Sequence, residues 1–516
     1  MDKPRVCFII PPSPFLLDER VFVSLGILKV AGALEAHGYP VEVLDLSGVE
    51  NFEDVAWRHA RWESTNTYAI TATTPQMPAA RKVAEAIRCA TTGEASLVKL
   101  ILGGPHITLA AAAMKQEKPG LDGRLHGRGQ KAFFDCAKIF DVTVAGDGED
   151  AIVQAVEACE LLRSGETFNA GMTGLHLDAD DPKAERPLFL SKRRIEELPP
   201  PARHLVDLDS YNYTIDGVRA TSLVAQLGCP FACSFCGGRA SPMLRRARIR
   251  STESVLAEIE HLHVTHGYCG FMFYDDEMNV NKELVTLLRG VIALQKKHST
   301  EFRLRGFVKA ELFTREQAEV MHEAGFRWLL TGFEAADPRI LDNINKKATV
   351  EDNTRCVELA KAAGLKVKAL MSIGHAGESP ETIAAVKRWL LEVRPEDFDC
   401  TIITPYPGSP YYDEAIKAGD TWTYSAPKSG DRLHMDEVDY MQEADYYKGQ
   451  IGGGYVSHVW TDHIAKNELI DLRDGLERDV RAELNIPFNQ SRAAIRYEHS
   501  MGAPGPLPPN ILRRSA

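Results

Sequence analysis

The sequence predicts an α/β protein: a Rossmann-like doubly wound parallel sheet over residues 1–165, a linker over 166–215, a partial (βα)6 barrel of the TIM type over 216–412, and a small, mostly helical domain over 413–516. Three observations predict it. Short apolar runs alternate with helical periodicity through the first 160 residues, and the runs end in Gly-rich turns. Six further strand–helix units follow residue 216. After Gly408 that repeat stops, and Leu469, Leu472, Leu476, Val480 and Leu484 recur at helical spacing.

In the first region, residues 6–10 read as a buried strand ending at Pro11 and Pro12. A helix over 23–37 stops at Gly38. Strands are expected at 41–46, 68–71, 97–102 and 142–145. The third of these four runs into Gly103, Gly104 and His106, the last into Gly146, Gly148 and Glu149, and Thr73, Thr74 and Gln76 follow the strand at 68–71. In an open parallel sheet, ligands sit beyond the carboxyl ends of the strands, where these turns fall. Residues 114–140 show no clean period and read as a surface insertion. The linker is polar, with acids at 178–181 and a break at Pro199, Pro200 and Pro201.

In the second region, strands are expected near 221–226, 270–275, 303–309, 328–333, 366–372 and 399–404. Thr314 with Gln317 forms a capping box, and Ser379 followed by Pro380 starts another helix. Polar or Gly-rich groups sit after each strand, on the rim where such barrels do chemistry: Asp275, Asp276 and Glu277; Lys309; Glu334; Gly374; Tyr406. In the third region, 413–423 reads as helical, Tyr440, Tyr446, Tyr447, Tyr455 and Trp460 flank glycines at 452–454, and 504–509 is an extended Pro-rich tail.

After the first barrel strand comes the densest chemical signal in the chain. Cys229, Cys233 and Cys236 stand at i, i+4 and i+7 in one Gly- and Pro-containing loop. Thiolates at this density ligate iron–sulfur clusters or zinc. A closed zinc site commonly draws on a second pair of ligands, and none follows. A four-iron cluster on three cysteines leaves one iron open to a ligand. The other seven cysteines are scattered singly and read as core residues, fitting a reducing compartment.

The CxxxCxxC spacing, with Phe235 before the last cysteine, resembles the signature of the radical SAM superfamily. That resemblance implies a [4Fe-4S] cluster whose open iron binds S-adenosylmethionine (SAM), and reductive cleavage of its sulfonium to a 5'-deoxyadenosyl radical. By the same resemblance Phe235, Asp275, Asp276, Glu277, Lys309, Glu334, Gly374 and Tyr406 surround SAM. A paired rim carboxylate is the plainer role for Glu334. The chain has Asp-Asp-Glu where many members have Gly-Gly-Glu, and His375 where Pro-Gly types are frequent. The turns of residues 4–160 resemble the cobalamin domain of the cobalamin-dependent branch, which implies cobalamin contacts from Pro12, Thr73, Thr74, Gln76, Gly103, Gly104, His106, Gly146, Gly148 and Glu149. The Asp-x-His-x-x-Gly motif for a lower axial histidine is absent. His106 is the one substitute, and a hydrogen-bonding role suits it better.

The formal net charge of -12 leaves no basic footprint for nucleic acid. No secretion signal and no spanning apolar run is evident, so a cytoplasmic enzyme is expected. The basic run Arg245, Arg246, Arg248 and Arg250 reads as a solvated or acid-paired face, or as a charge partner for substrate phosphate or carboxylate. The leading expectation is a cobalamin-dependent radical SAM methyltransferase acting on an unactivated carbon of a small molecule, with an external one-electron reductant of flavodoxin or ferredoxin type. A non-methylating radical rearrangement or cyclisation uses the same cofactors, and a non-catalytic iron–sulfur or corrinoid sensor is the third reading. Methylthiolation lacks its second cysteine cluster.

Overall fold

The structure, a computed structural model, describes residues 3–13, 19–93, 97–117, 127–165, 175–176, 191, 193–239, 241, 244–446, 451–452, 454–488 and 507–515. The acidic run at 178–181, Tyr447, Gly453, the prolines at 504 and 506 and residues 118–126 of the 114–140 segment lie outside them.

Strand and helix alternate from the start: β1 (Val6–Ile10), α1 (Leu25–Ala36), β2 (Val41–Asp45), α2 (Phe52–Trp62), β3 (Thr67–Thr71), α3 (Met77–Ala90), β4 (Lys99–Gly103), α4 (Pro105–Gln116), α5 (Arg128–Ala137), β5 (Val142–Val144), α6 (Gly148–Ser164) and β6 (Leu175–His176). The sheet runs β2-β1-β3-β4-β5-β6, parallel except for β6. Continuous apolar strands buried on both faces demand helices on both sides. One face packs Val55, Ala80, Val83, Ile107 and Ala110 of α2, α3 and α4, and the other packs Ile27, Leu28, Ile152 and Ala155 of α1 and α6. The 114–140 segment corrects the expectation of a surface insertion. α5 buries Phe133 and Cys136 and lies so close to α4 that a Cβ on Gly129 would stand 2.5 Å from the Met114 nitrogen.

The linker returns over α1. Ala202 donates its amide to Leu28 O at 2.9 Å, and a Cβ on Gly32 would meet Pro200 O at 2.7 Å. The second region then runs β7 (Thr214–Ile215), β8 (Val218–Leu223), β9 (Gln226–Leu227), β10 (Arg248–Ile249), α7 (Thr252–His266), β11 (Gly270–Phe273), α8 (Leu284–His298), β12 (Arg303–Phe307), α9 (Arg315–Glu323), β13 (Phe326–Glu334), α10 (Pro338–Asn343), α11 (Val350–Ala362), β14 (Lys366–Ile373), α12 (Pro380–Val393), β15 (Asp397–Ile402) and α13 (Pro410–Asp413). Six parallel strands in the order β15-β14-β13-β12-β11-β8 form the partial barrel, with β7 antiparallel beside β8. The box of Thr314 and Gln317 caps α9, and Ser379 with Pro380 opens α12.

Beyond residue 413 the expected helix over 413–423 is instead a hairpin. β16 (Ile416–Ala418), β17 (Thr421–Ser425), β18 (Arg432–Met435) and β19 (Val459–Thr461) form an antiparallel sheet. Gly419, at φ +65°, supplies the turn, and the run of threonines and aromatics at 421–424 favours strand over helix. The helix expected from the leucine spacing is α14 (Lys466–Leu484), which buries Leu469, Leu476 and Val480. The chain end departs from the helical C-terminal part altogether. β20 (Leu512–Arg514) pairs antiparallel with β2 and extends the first sheet. Among the described residues, no helix is long and apolar enough to cross a membrane.

Candidate active site

The cysteine loop leaves β9 at Gly228, whose φ of +83° and contact with Arg246 O, 2.3 Å from an added Cβ, admit only glycine. The loop is fixed at its centre. Ser234 donates its amide to Ile344 O at 2.9 Å, Tyr411 donates to Ser234 O at 2.9 Å, and Asn345 Nδ2 donates to Ala232 O at 2.8 Å. The three thiol sulfurs do not gather within 4.8 Å of one another, as two other ligand groups of the chain do. A [4Fe-4S] cluster takes each thiolate on a separate iron, so its ligand sulfurs need not meet around one point.

Three cations that sequence reasoning passed over or placed elsewhere surround the loop. Arg239 Nε donates to Cys236 Sγ at 3.3 Å, and Arg239 Nη1 to Cys229 O at 2.7 Å. Lys309 Nζ stands over the Phe231 ring at 4.2 Å, donates to Lys346 O and pairs with Glu311 at 2.7 Å. Lys346 is buried and pairs with Glu334 at 3.3 Å. Burial pushes the Cys233 thiol up to about 11, and the nearby Lys346 and Lys309 oppose that shift. Burial works against the Lys346 charge, but Glu334, Cys233 and Glu277 outweigh it and hold its pKa above the ordinary lysine range. Such cations suit a negatively charged cluster with thiolate ligands.

The rim residues divide into two groups. Asp275 is committed to the scaffold: it is buried and accepts the amides of Ala225 and Gln226 at 2.7 and 3.2 Å, and burial lifts it to about 7. Lys309 likewise buttresses the loop, and Tyr406 packs against Tyr440 and Tyr446. All three, expected around SAM, thus have structural partners within the chain. Glu277 is half-buried, lifted by burial to about 7, and keeps Oε2 buried without a hydrogen-bond partner. Glu334 sits at φ +67° after a register shift between β13 and β14. A bulge and a left-handed backbone at a non-Gly residue cost about 1–3 kcal/mol and commonly aim a functional side chain. Its Oε2 accepts from Ser372, whose hydroxyl lies 2.8 Å from His375 Nε2, and His375 Nδ1 lies 3.3 Å from the Tyr411 hydroxyl. Phe235 packs on the His375 ring at 5.3 Å, and burial holds His375 down to about 3, so it is neutral. Glu378 accepts the amides of Gly374 and His375 and shapes that loop. An orphaned carboxyl oxygen and an aimed carboxylate at the rim fit the ammonium and ribose hydroxyls of SAM.

On the first sheet, a cavity of about 190 Å³ opens at the carboxyl ends of β3, β4 and β5, between α1 and α6. Gly103, Gly104, Gly146, Gly148 and Glu149 line it, as do Gly26, Ile27, Val30 and Ile152. A Cβ on Gly26 or Gly103 would meet nothing within 4 Å. The volume exceeds the roughly 150 Å³ that admits benzene, yet is small for a whole corrin, so it fits a bulky planar arm of a larger ligand. Pro12, Thr73, Thr74, Gln76 and His106 do not line it. Thr73 and Gln76 cap each other, Gln76 Nε2 donates to Pro11 O and Ser13 Oγ, and His106 Nδ1 lies 3.1 Å from Thr74 Oγ1. His106 is buried and held by burial down to about 4, a neutral ring committed to its own turn.

The two sites are neighbours. Leu109 of α4 stands 3.0 Å from the position of a Cβ on Gly237 in the cysteine loop, and Pro105, one helical turn earlier, lines the cavity. Arg248 reaches back from β10 to Asp147, also a cavity residue, at 2.6 and 2.9 Å. Arg250 pairs with Glu258 at 2.5 Å. The arginine run therefore supplies acid-paired structural contacts at Arg248 and Arg250.

Comparison with known families decides what these neighbours are. The Radical SAM superfamily matches residues 223–390 and the B12 binding domain matches residues 19–137. The chain is a cobalamin-dependent radical SAM enzyme. Its cofactors are a [4Fe-4S] cluster, SAM and cobalamin. An uncharacterised methyltransferase of Pyrococcus horikoshii is 26% identical over 80% of this chain and 83% of its own length. An anaerobic magnesium-protoporphyrin IX monomethyl ester cyclase of Cereibacter sphaeroides is 26% identical over 63% of this chain and 50% of its own. In fold the chain resembles the radical SAM methyltransferase TsrM of Kitasatospora setae, solved with cobalamin and a [4Fe-4S] cluster. The TM-score is 0.61 at 19% identity, covering 83% of this chain and 81% of TsrM.

Proposed function

We propose that this enzyme transfers a methyl group from SAM to an unactivated carbon of a small-molecule substrate, in the cytoplasm, with electrons from a flavodoxin- or ferredoxin-type donor. When bound, the cluster supplies the electron that opens the SAM sulfonium, and cobalamin serves as the methyl carrier. In this reading Cys229, Cys233 and Cys236 hold the cluster, and Arg239, Lys309 and Lys346 balance its charge. Phe235, Asp276, Glu277, Glu334 and Gly374 orient SAM. Gly103, Gly104, Gly146, Gly148 and Glu149 cradle the corrinoid, within residues 1–165, while residues 216–412 hold the cluster and SAM. The supporting observation is the helix turn from Pro105 to Leu109, which joins the glycine-lined cavity to the cysteine loop.

The test is anaerobic turnover of the loaded enzyme with candidate substrates. Formation of both S-adenosylhomocysteine and 5'-deoxyadenosine is expected. Absence of S-adenosylhomocysteine beside 5'-deoxyadenosine favours a non-methylating radical cyclisation or rearrangement, the reading that the cyclase resemblance supports. Changing any one of Cys229, Cys233 or Cys236 to alanine is expected to remove most iron and acid-labile sulfide. Retention of both in all three variants would refute the cluster assignment.

A further inference from the structure

Among the described residues, the inner wall of the half-barrel carries one cation with no acid beside it. Strand register places Met272, Arg305 and Trp328 side by side on β11, β12 and β13, with Phe307 and Leu330 in the next row toward the rim. The opposite face of the same strands, through Phe271, Leu304 and Leu329, is buried in the core. The other cations of this wall are neutralised. Arg303 pairs with Glu301 at 3.1 Å, Lys366 with Asp216 at 3.2 Å, and Lys368 with Asp397 and Asp399, both at 2.9 Å. Among the described residues, Arg305 has no carboxylate within ion-pair distance, and its Nε is buried without a hydrogen-bond partner. The Tyr213 hydroxyl, which interacts with Arg305, is also buried and has no well-formed partner. Met272, Leu330, Phe307 and Trp328 pack around Tyr213 as one apolar group.

Arg305 is half-buried, and the enclosed part of its guanidinium is costly to desolvate unless an anion meets it. Its fork matches a carboxylate or a phosphate, and a phenol hydroxyl beside it adds a donor. The position is right for substrate: Arg305 lies four residues before Lys309, so about 13 Å below the rim at the usual strand rise, beneath the SAM-facing carboxylates. We infer that Arg305, with the Tyr213 hydroxyl, receives the anionic end of an otherwise apolar substrate whose body lies along the half-exposed faces of Phe307 and Trp328. The inference rests on the reading of the half-barrel as the substrate-holding element of the proposed enzyme.

The test uses anaerobically prepared enzyme with its cluster and corrinoid, and three probes of one apolar body: octanoate, octyl phosphate and 1-octanol, each titrated calorimetrically. At least one anionic probe is expected to bind tenfold or more tighter than the alcohol, and the better of the two names carboxylate or phosphate as the group recognised. Arg305→Met is expected to abolish that advantage and Arg305→Lys to keep part of it, while Tyr213→Phe reduces it by less. Cluster and corrinoid absorbance of each variant reports that it is folded. Anionic probes binding no tighter than octanol, or a full advantage surviving in Arg305→Met, would overturn the inference. Missing S-adenosylhomocysteine in wild-type turnover would instead refute the methyltransferase reading and leave the head-group comparison standing.

Discussion

At the scale of single residues, Arg239 is the side chain most tightly bound up with the chemistry. It touches the Cys236 sulfur and the Cys229 backbone, so it both shapes the loop and places positive charge against the proposed cluster ligands. Hydrogen bonds and cations near cluster sulfurs favour the reduced form. Arg239→Met is therefore expected to lower the midpoint potential by the equivalent of a tenfold change in the reduced-to-oxidised ratio, about 59 mV for one electron. An EPR-monitored redox titration of loaded protein checks this, and an unshifted midpoint contradicts it. Glu334 is the second such residue. Its backbone is held left-handed while its carboxylate meets Lys346 and Ser372. Glu334→Gln keeps the shape and removes the charge, and is expected to weaken SAM binding about tenfold, as read by calorimetry.

Elements position these residues, and two of them make separable predictions. α1 and α6 bracket the cavity, and Gly26 of α1 faces open space there. Gly26→Leu trades a poor helix former for a good one while filling the cavity. Corrinoid retention is expected to fall tenfold or more with iron content unchanged, measured by absorbance and metal analysis. The loop after β14 depends on Glu378, fully buried and lifted by burial to about 7. A carboxyl raised in the folded state stabilises below its unfolded value of about 4.3, and that contribution is lost as pH rises through 7. Glu378→Gln keeps one carbonyl oxygen, which can accept both the Gly374 and His375 amides as Oε2 does now, but cannot ionise. Its Tm is expected to vary less than that of the wild type between pH 4.5 and 7.5, and equal slopes would contradict the assignment.

The whole molecule is tied together by contacts between segments far apart in the chain. β20 closes against β2 through Arg514, which meets Glu42 at 2.7 Å, and the same carboxylate holds His59 at 3.0 Å and Thr65 at 2.6 Å. Burial alone would raise Glu42, but His59, Thr65 and Arg514 hold it down to about 2. Its contribution is therefore present above pH ~4.3 and lost as pH falls toward 2. Glu42→Gln is expected to lower Tm by several degrees at pH 7, with the difference shrinking at pH 3, and to speed amide exchange in residues 507–515. Breaking a buried ion pair costs about 3–5 kcal/mol, enough to be read in a thermal scan. Between the other regions, Arg128 of α5 lies 3.9 Å from the Tyr412 ring and 4.5 Å from the Trp422 ring. The segment read as an insertion thus bridges the first sheet to the C-terminal part.

What was legible in the chain was what local spacing controls. The three cysteines announce a cluster because ligand spacing within one loop is a local property. The parallel strands appear because buried apolar runs and helical periods are local too, and the Gly-rich turns after β4 and β5 mark the cavity for the same reason. What was not legible is set by partners that come from elsewhere in the fold. Asp275 and Lys309 carry the right chemistry, but the fold spends them on the backbone at Ala225, Gln226 and Lys346. Thr73, Gln76 and His106 are spent on their own turn and its neighbours. Hairpin and helix compete closely over 413–423, and sheet pairing with β18 decides. The sequence by itself determined the cofactor chemistry and the two-sheet architecture. Only the tertiary structure decided which charges are left for ligands, because neutralising an arginine or a carboxylate depends on which distant side chains packing brings beside it.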